Sequence, residues 1–182
     1  MKVIDEQHIT ELLKDEATRS QAFSALVQAY EETLYWQIRR MVLNHDDADD
    51  ILQNTFLKAW TGIATFRGDS KLSTWLYRIA SNETLNFIER KRHTHLSLDN
   101  EESSVINTLQ SDPYFDGDET QLQLQEAISQ LPAKQKQVFL MKYYDEMKYE
   151  EMSKILGTST GALKASYHHA VKKICDFFEH LN

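Results

Sequence analysis

Basic side chains recur on one face of a helix predicted near the carboxyl end of the sequence. From Leu163 to Phe177, apolar residues recur at steps of four and three, which is the spacing of one buried helical face. At 100° per residue, the residues turned away from that face are Lys164, Ala165, His168, His169, Lys172 and Lys173. Lysine ammonium groups bind phosphate oxygens, and a helix of this kind fits a DNA major groove. The face therefore predicts either contact with DNA or an ordinary solvated helix surface.

A tight turn precedes this helix. The stretch from Tyr149 to Leu156 has apolar residues at helical spacing and ends at Gly157, which suits a left-handed helix end. Thr158 or Ser159 can then cap the following helix. Two helices joined by such a turn form either a helix-turn-helix or a plain helical hairpin.

Acidic residues cluster at the start of another predicted helix, from Asp46 to Trp60. Carboxylates in a first helical turn are stabilised by the helix dipole. A calcium-binding loop that began at Asp46 would need a ligand at its third position and glycine at its sixth, but Ala48 and Ile51 occupy them. The acidic residues therefore indicate a dipole-matched helix start or a polar contact surface.

A second basic cluster, Arg90 to Arg92, ends a helix predicted from Lys71 to about Arg92. Cations at a helix C-terminus are usually solvated, although they can also contact phosphates. His93 and His95 stand two residues apart, which is poor ligand spacing on a helix. We predict no metal site and no other cofactor.

Composition and charge divide the chain into three parts. Five glycines, two prolines and 41% hydrophobic residues predict an all-α protein. Residues 1–97 carry 12 Lys and Arg against 14 Asp and Glu, residues 98–120 carry none against 7, and residues 121–182 carry 8 against 7. We therefore predict two small helical domains, at residues 1–97 and 119–182, joined by an acidic linker at residues 98–118. Each near-neutral domain can present a local basic face.

Two classes of function are disfavoured. The sequence has no nucleophile next to a base at motif spacing and no glycine-rich phosphate loop, so we predict that the protein is not an enzyme. No apolar run approaches the ~20 residues of a membrane span, and no signal peptide opens the chain. This predicts a cytoplasmic protein without direct membrane insertion.

Motifs in the order of a known family cover about residues 20 to 178. The resembling segments belong to the extracytoplasmic-function (ECF) sigma factors of the sigma-70 family, which make RNA polymerase specific for particular promoters. They are the runs Asp47 to Phe56, Trp75 to Ala80, Ala127 to Leu140 and Tyr149 to Lys164. The resemblance implies that residues 1–97 are sigma domain two, which docks on core polymerase and melts and reads the minus-10 element. Residues 119–182 would be sigma domain four, whose helix-turn-helix reads the minus-35 element.

The resemblance also implies roles for individual residues. Docking on core polymerase is assigned to Asp47, Asp49, Asp50, Gln53 and Asn54. Minus-10 recognition, including a loop that holds a flipped-out base, is assigned to Gly62, Thr65, Phe66, Arg78, Asn82, Arg90, Lys91 and Arg92. Minus-35 recognition is assigned to Thr160, Gly161, Lys164, Ala165, His168, His169 and Lys172.

The predicted minus-35 helix departs from the family pattern. Ser166, His169 and Val171 stand where the family usually has arginine. Because arginine is the commonest bidentate reader of guanine, a different minus-35 sequence or a weaker contact is implied. Histidines gain positive charge as the pH falls, so we expect this contact to strengthen in acid.

The same resemblance implies three partners. They are core RNA polymerase, through its β′ clamp helices and β flap, promoter DNA, and an anti-sigma factor, which in this family is often anchored in a membrane. An acidic protein should bind DNA poorly by itself, and a large basic partner removes that difficulty. The alternative is a free-standing helix-turn-helix regulator, which would bind a palindromic site without polymerase because dimers read paired half-sites.

Overall fold

The structure, a computed structural model, describes residues 5–95 and 117–181, and within them the regular structure is entirely helical. The helices are α1 (Glu6–Lys14), α2 (Glu16–Val42), α3 (His45–Gly62), α4 (Leu72–His95), α5 (Glu119–Ser129), α6 (Ala133–Tyr143), α7 (Tyr149–Leu156) and α8 (Thr160–Leu181), with a 3-10 turn at Ile63–Thr65. The all-α prediction is confirmed. The predicted acidic linker lies outside the described residues as far as residue 116.

Helices α1 to α4 form the first bundle around a common apolar core. Its central side chains are almost completely buried, and they are Leu26, Leu34, Ile38, Ile51, Leu72 and Leu76. The helix starts follow from local chemistry: the Asn44 side chain accepts a hydrogen bond from the Asp47 amide at 2.9 Å, and acidic residues occupy the first turn of α3. Leu43, in the left-handed conformation with φ 59°, separates α2 from α3.

Helices α5 to α8 form the second bundle, which contains the predicted helix-turn-helix. Helix α7 ends at Gly157, whose φ of 65° is the left-handed conformation that glycine adopts without strain. The Ser159 hydroxyl then accepts a hydrogen bond from the Ala162 amide at 3.3 Å and caps α8. The short turn is therefore encoded by a glycine and a serine two residues apart.

The two bundles pack against each other through α2 and α4 on one side and α6 and α7 on the other. Contacts are made along three pairs of helices, which are α4 with α7, α2 with α6 and α4 with α6. None of the helices in the described ranges is long and apolar enough to cross a membrane.

Candidate functional site

The outer face of α8 is open to solvent along the predicted minus-35 surface. The exposed residues on this face are Gly161, Lys164, Ala165, His168, His169 and Lys172, while Thr160 at the helix start is half-buried. The opposite face holds α8 in place, because Leu163, Ala170 and Ile174 are buried. The Lys164 ammonium lies 5.7 Å from the centre of the Tyr149 ring, so a residue of α7 helps to position a cation of the predicted minus-35 surface.

The loop predicted to hold a flipped-out base is braced by Trp75. A side chain at Gly62 would place its Cβ 3.2 Å from the Trp75 ring, so glycine permits this close approach. The Thr65 hydroxyl donates to the Gly62 carbonyl at 2.8 Å, and the Phe66 and Trp75 ring centres are 5.1 Å apart. The aromatic pair gives the loop a firm base on the first bundle.

The remaining predicted minus-10 residues lie along α4. Asn82, Arg90 and Arg92 are exposed, as a DNA contact requires. Two other cations on this helix contact residues of other helices. The Arg78 guanidinium donates to the Lys154 carbonyl of α7, and the Lys91 ammonium pairs with the Asp47 carboxylate at 2.6 Å.

The Lys91 pair joins two predicted sites that are separate in the sequence. Asp47 is predicted to contact core polymerase and Lys91 is predicted to contact minus-10 DNA, yet the two side chains bind each other. The pair is only partly exposed on the Asp47 side, whose side-chain exposure is 21%. The start of α3 and the end of α4 are thereby tied together.

The predicted docking surface on α3 is exposed at its centre. Asp50, Gln53 and Asn54 face solvent, and the Asp49 carboxylate lies 3.4 Å from Nε2 of His45. This surface extends further than the predicted residues, because Leu57 is 63% exposed and Trp60 is 43% exposed. Leu57 stands four residues after Gln53 and three after Asn54, a helical spacing that could have indicated the extension.

Burial shifts the pKa values of several groups between the bundles. Burial, followed by the nearby Asp145 and Glu151 carboxylates, raises the pKa of Tyr77 to about 12. Burial lowers the pKa of Lys136 to about 8, because its ammonium has been taken out of water. Burial also raises the pKa of Asp145, and its partner Arg40 partly offsets that effect. Among the residues that the structure describes, no three His, Cys, Asp or Glu side chains form a metal-binding group.

Each of the two bundles matches a known protein family. Residues 26–94 match the family described as Sigma-70 region 2, and residues 121–174 match Sigma-70, region 4. The ECF RNA polymerase sigma factor SigW of Bacillus subtilis is 34% identical to this chain, over 81% of this chain and 83% of SigW. The chain belongs to the ECF sigma factors. A second relative, the ECF RNA polymerase sigma-E factor of Haemophilus influenzae, is 27% identical over 84% of this chain and 85% of its own length.

Two solved structures of similar fold are protein complexes, and one of them contains a sigma factor. The structure of CnrH with the cytosolic domain of CnrY has a TM-score of 0.70 at 19% identity, and covers 96% of this chain and 97% of CnrH. The sigma factor RpoE with the anti-sigma factor NepR from Bartonella quintana has a TM-score of 0.68 at 22% identity, with 86% and 96% covered. These likenesses show that the ECF sigma factor described here shares their fold.

Membership in the family establishes the general activity. As an ECF sigma factor, the chain binds core RNA polymerase and directs transcription initiation through regions 2 and 4. It is an initiation factor and not an enzyme.

Proposed function

We propose that this sigma factor reads the minus-35 element as duplex with the outer face of α8. The observation that carries this proposal is that α8 has a buried row of Leu163, Ala170 and Ile174 and an exposed face with Lys164, His168, His169 and Lys172. Lysines on such a face contact phosphates, and the histidines can hydrogen-bond to base edges in a major groove. Residues 119–182 would then act as sigma domain four.

In the same proposal, residues 1–97 act as sigma domain two and residues 98–118 link the two domains. The loop from Gly62 to Phe66, together with Asn82, would hold an unstacked base of the minus-10 element. Its position on the Trp75 ring supports this role, because a base held outside the duplex needs a preformed surface. Arg90 and Arg92 would contact the neighbouring phosphates.

Docking on the β′ clamp helices of core polymerase would use the exposed surface of α3. Asp50, Gln53 and Asn54 supply its polar part, Asp47 and Asp49 its edge, and Leu57 an apolar extension. A polar surface with an exposed leucine is typical of protein interfaces, whose centres exclude water from apolar side chains. Domain four would at the same time bind the β flap.

Restraint by an anti-sigma factor is the last part of the proposal. One solved structure of similar fold is the sigma factor RpoE bound to the anti-sigma factor NepR, and another is CnrH bound to the cytosolic domain of CnrY. A partner of this kind, in some cases anchored in the membrane, would cover the polymerase-binding and DNA-binding surfaces. The sigma factor itself would act in the cytoplasm, where polymerase and promoter DNA are.

The test is run-off transcription from fragmented genomic DNA with core RNA polymerase, with and without the protein. Discrete transcripts that require the protein are expected, and their aligned starts would define the promoter. Transcripts that are absent, together with binding of the protein alone to a palindromic duplex, would replace this proposal with a free-standing regulator.

Reversing one charge on the docking surface should weaken polymerase binding. We expect Asp50→Lys to lower the affinity for core polymerase about tenfold or more, because it places a cation in the centre of an acidic contact surface. The measurement is titration of labelled sigma factor with core polymerase, followed by fluorescence anisotropy. Glu31→Lys, an equal charge change at an exposed position of α2, is the control and should bind normally. Equal loss in both variants would contradict docking through α3.

The two histidines should make minus-35 binding depend on pH. We expect a minus-35 duplex to bind about threefold or more tightly at pH 6 than at pH 8, because protonation adds positive charge opposite phosphates. A double variant, His168→Gln with His169→Gln, should lose this dependence, whereas His180→Gln at the far end of α8 should retain it. A binding constant that is the same at both pH values would remove the hypothesis.

A further inference from the structure

Side chains from the first bundle complete the core of the second bundle. Met41, at the end of α2, is 5% exposed and belongs to the apolar cluster formed by α5, α6 and α8. Leu85 and Ile88 of α4 pack against the same cluster. Tyr77 of α4 packs against a second cluster, which contains Met152 and Ile155 of α7. The bundles are therefore joined by continuous apolar packing.

Three polar contacts surround this packing, and we call them the interdomain clasp. The Lys136 ammonium donates to the Met41 carbonyl at 2.9 Å, and the Arg40 guanidinium pairs with the Asp145 carboxylate at 2.7 Å. The third contact is the Arg78 guanidinium on the Lys154 carbonyl. Both accepting carbonyls lie in the last turn of a helix, where a cation is favoured by the helix dipole. Each bundle thus supplies a cation to a helix end of the other.

The interface is also imperfectly satisfied, which favours reversible contact. A small cavity between α2, α4 and α6 is lined by Gln37, Ser81 and Gln137 among others. Within the part of the chain that the structure describes, the buried Gln37 Oε1 and Ser81 Oγ atoms have no hydrogen-bond partner. An unpaired buried polar atom destabilises the packed arrangement, and this cost disappears when the bundles separate and water hydrates the atom. Interfaces between domains are commonly of this more polar, separable kind.

The closed arrangement cannot read both promoter elements at once. Helix α7 packs against α4 and against α8, so the minus-10 and minus-35 helices are separated by two packing steps, or about 20 Å. The elements that they read are roughly 25 base pairs apart, which is about 85 Å of straight duplex. In addition, Arg78 on the minus-10 surface is already bound to α7.

We propose that this sigma factor restrains itself: the interdomain clasp holds α4 against α7 in a closed state that must open before both promoter elements are bound. The proposal rests on the proposed roles of α4 and α8. Its first test contains neither polymerase nor DNA, so that failure of the closed state and failure of those roles are distinguishable.

Energy transfer between the bundles tests whether the clasp holds them together. One dye is placed on the exposed native Cys175 of α8, and the other on an exposed position of α2 through Gln28→Cys. The full chain should show high transfer. Asp145→Arg sets a second cation against Arg40, so transfer should fall about twofold or more as the open state becomes populated. Glu146→Arg, the same change at the adjacent exposed residue, should leave transfer unchanged.

Two further results decide the matter. Circular dichroism should show the same helix content in Asp145→Arg as in the unaltered chain, and Asp145→Asn, which only removes the charge, should give an intermediate transfer. If transfer is equal in the unaltered chain, Asp145→Asn and Asp145→Arg, the clasp does not hold the bundles closed and the proposal is overturned.

The inhibitory effect is measured on a promoter that carries both elements. With core polymerase, the opened Asp145→Arg chain should reach half-maximal transcription at a concentration at least about threefold lower than the unaltered chain. The reason is that an inactive closed fraction reduces the apparent affinity of the unaltered chain. The Glu146→Arg control should behave like the unaltered chain. An opened chain that requires the same or a higher concentration would overturn self-restraint, even if the bundles do separate.

Discussion

Raising the pH from 7 to 9 should favour the closed state about tenfold in a chain where both states are populated, such as Asp145→Asn. Burial lowers the pKa of Lys136 from 10.5 to about 8 in the closed state. In the open state the ammonium returns to water, where its pKa returns to the ordinary value for lysine. The open state therefore holds this proton more tightly, and loss of the proton as the pH rises through 8 stabilises closure.

Substitution of Lys136 separates its contribution from those of other groups. Energy transfer should rise with pH in the Lys134→Met control, which alters an exposed lysine of the same helix, and should be constant in Lys136→Met. The interface tyrosines do not titrate in this window, because burial raises the pKa of Tyr77 to about 12 and also raises that of Tyr144. A pH response that persists in Lys136→Met would assign it to another group. The charged and titratable groups that line the same cavity as Lys136 are Asp47 of α3, Glu89, Lys91, Arg92 and His93 of α4, and Lys134 of α6. Arg40 of α2 precedes Met41, whose carbonyl accepts from Lys136.

Shortening Leu163 should destabilise the second bundle by about 2–5 kcal/mol. This side chain is 1% exposed and packs with Val138, Met141, Met152 and Ile155, so Leu163→Ala leaves a cavity where α6, α7 and α8 meet. The free energy of unfolding is measured by urea denaturation, with helix content followed by circular dichroism. Because α8 is positioned by this cluster, minus-35 binding should weaken as well.

Leu57→Ala is the matched control, since it removes the same atoms from a leucine that is 63% exposed. Its free energy of unfolding should change by no more than about 0.5 kcal/mol. Under the proposed docking role it should instead weaken binding to core polymerase. If Leu57→Ala lost as much stability as Leu163→Ala, the expected dependence of the loss on burial of the leucine would be contradicted.

The helices follow from the sequence to a large extent. Apolar periodicity predicts α7 at its observed bounds, and it predicts the buried row of Leu163, Ala170 and Ile174 on α8. Gly157 and Ser159 predict the turn between them, because each residue acts locally on the backbone. Local signals of this kind need no knowledge of the tertiary structure.

The contacts between the bundles do not follow from the sequence in the same way. Arg40 is explained in the sequence by the end of α2 alone, yet its partner Asp145 is more than a hundred positions away. In the sequence, Lys136 is an ordinary polar residue of a helix. In the structure it is buried, and its ammonium donates to the Met41 carbonyl of the other bundle. Arg78 and Lys91 are similar cases, since their partners Lys154 and Asp47 share no periodic pattern with them. Pairings between distant segments depend on how the bundles dock, and helical spacing carries no information about docking.

The three tryptophans, Trp36, Trp60 and Trp75, all belong to the first bundle, and the second bundle has only tyrosine and phenylalanine as aromatic chromophores besides histidine. Selective excitation of indole therefore observes the first bundle alone in the unlabelled protein. In denaturant, tryptophan emission and helix content should change together if the bundles unfold as one unit. The two signals should instead give separate transitions in a variant whose bundles no longer pack together. Intrinsic tryptophan emission therefore reports whether the two bundles unfold independently.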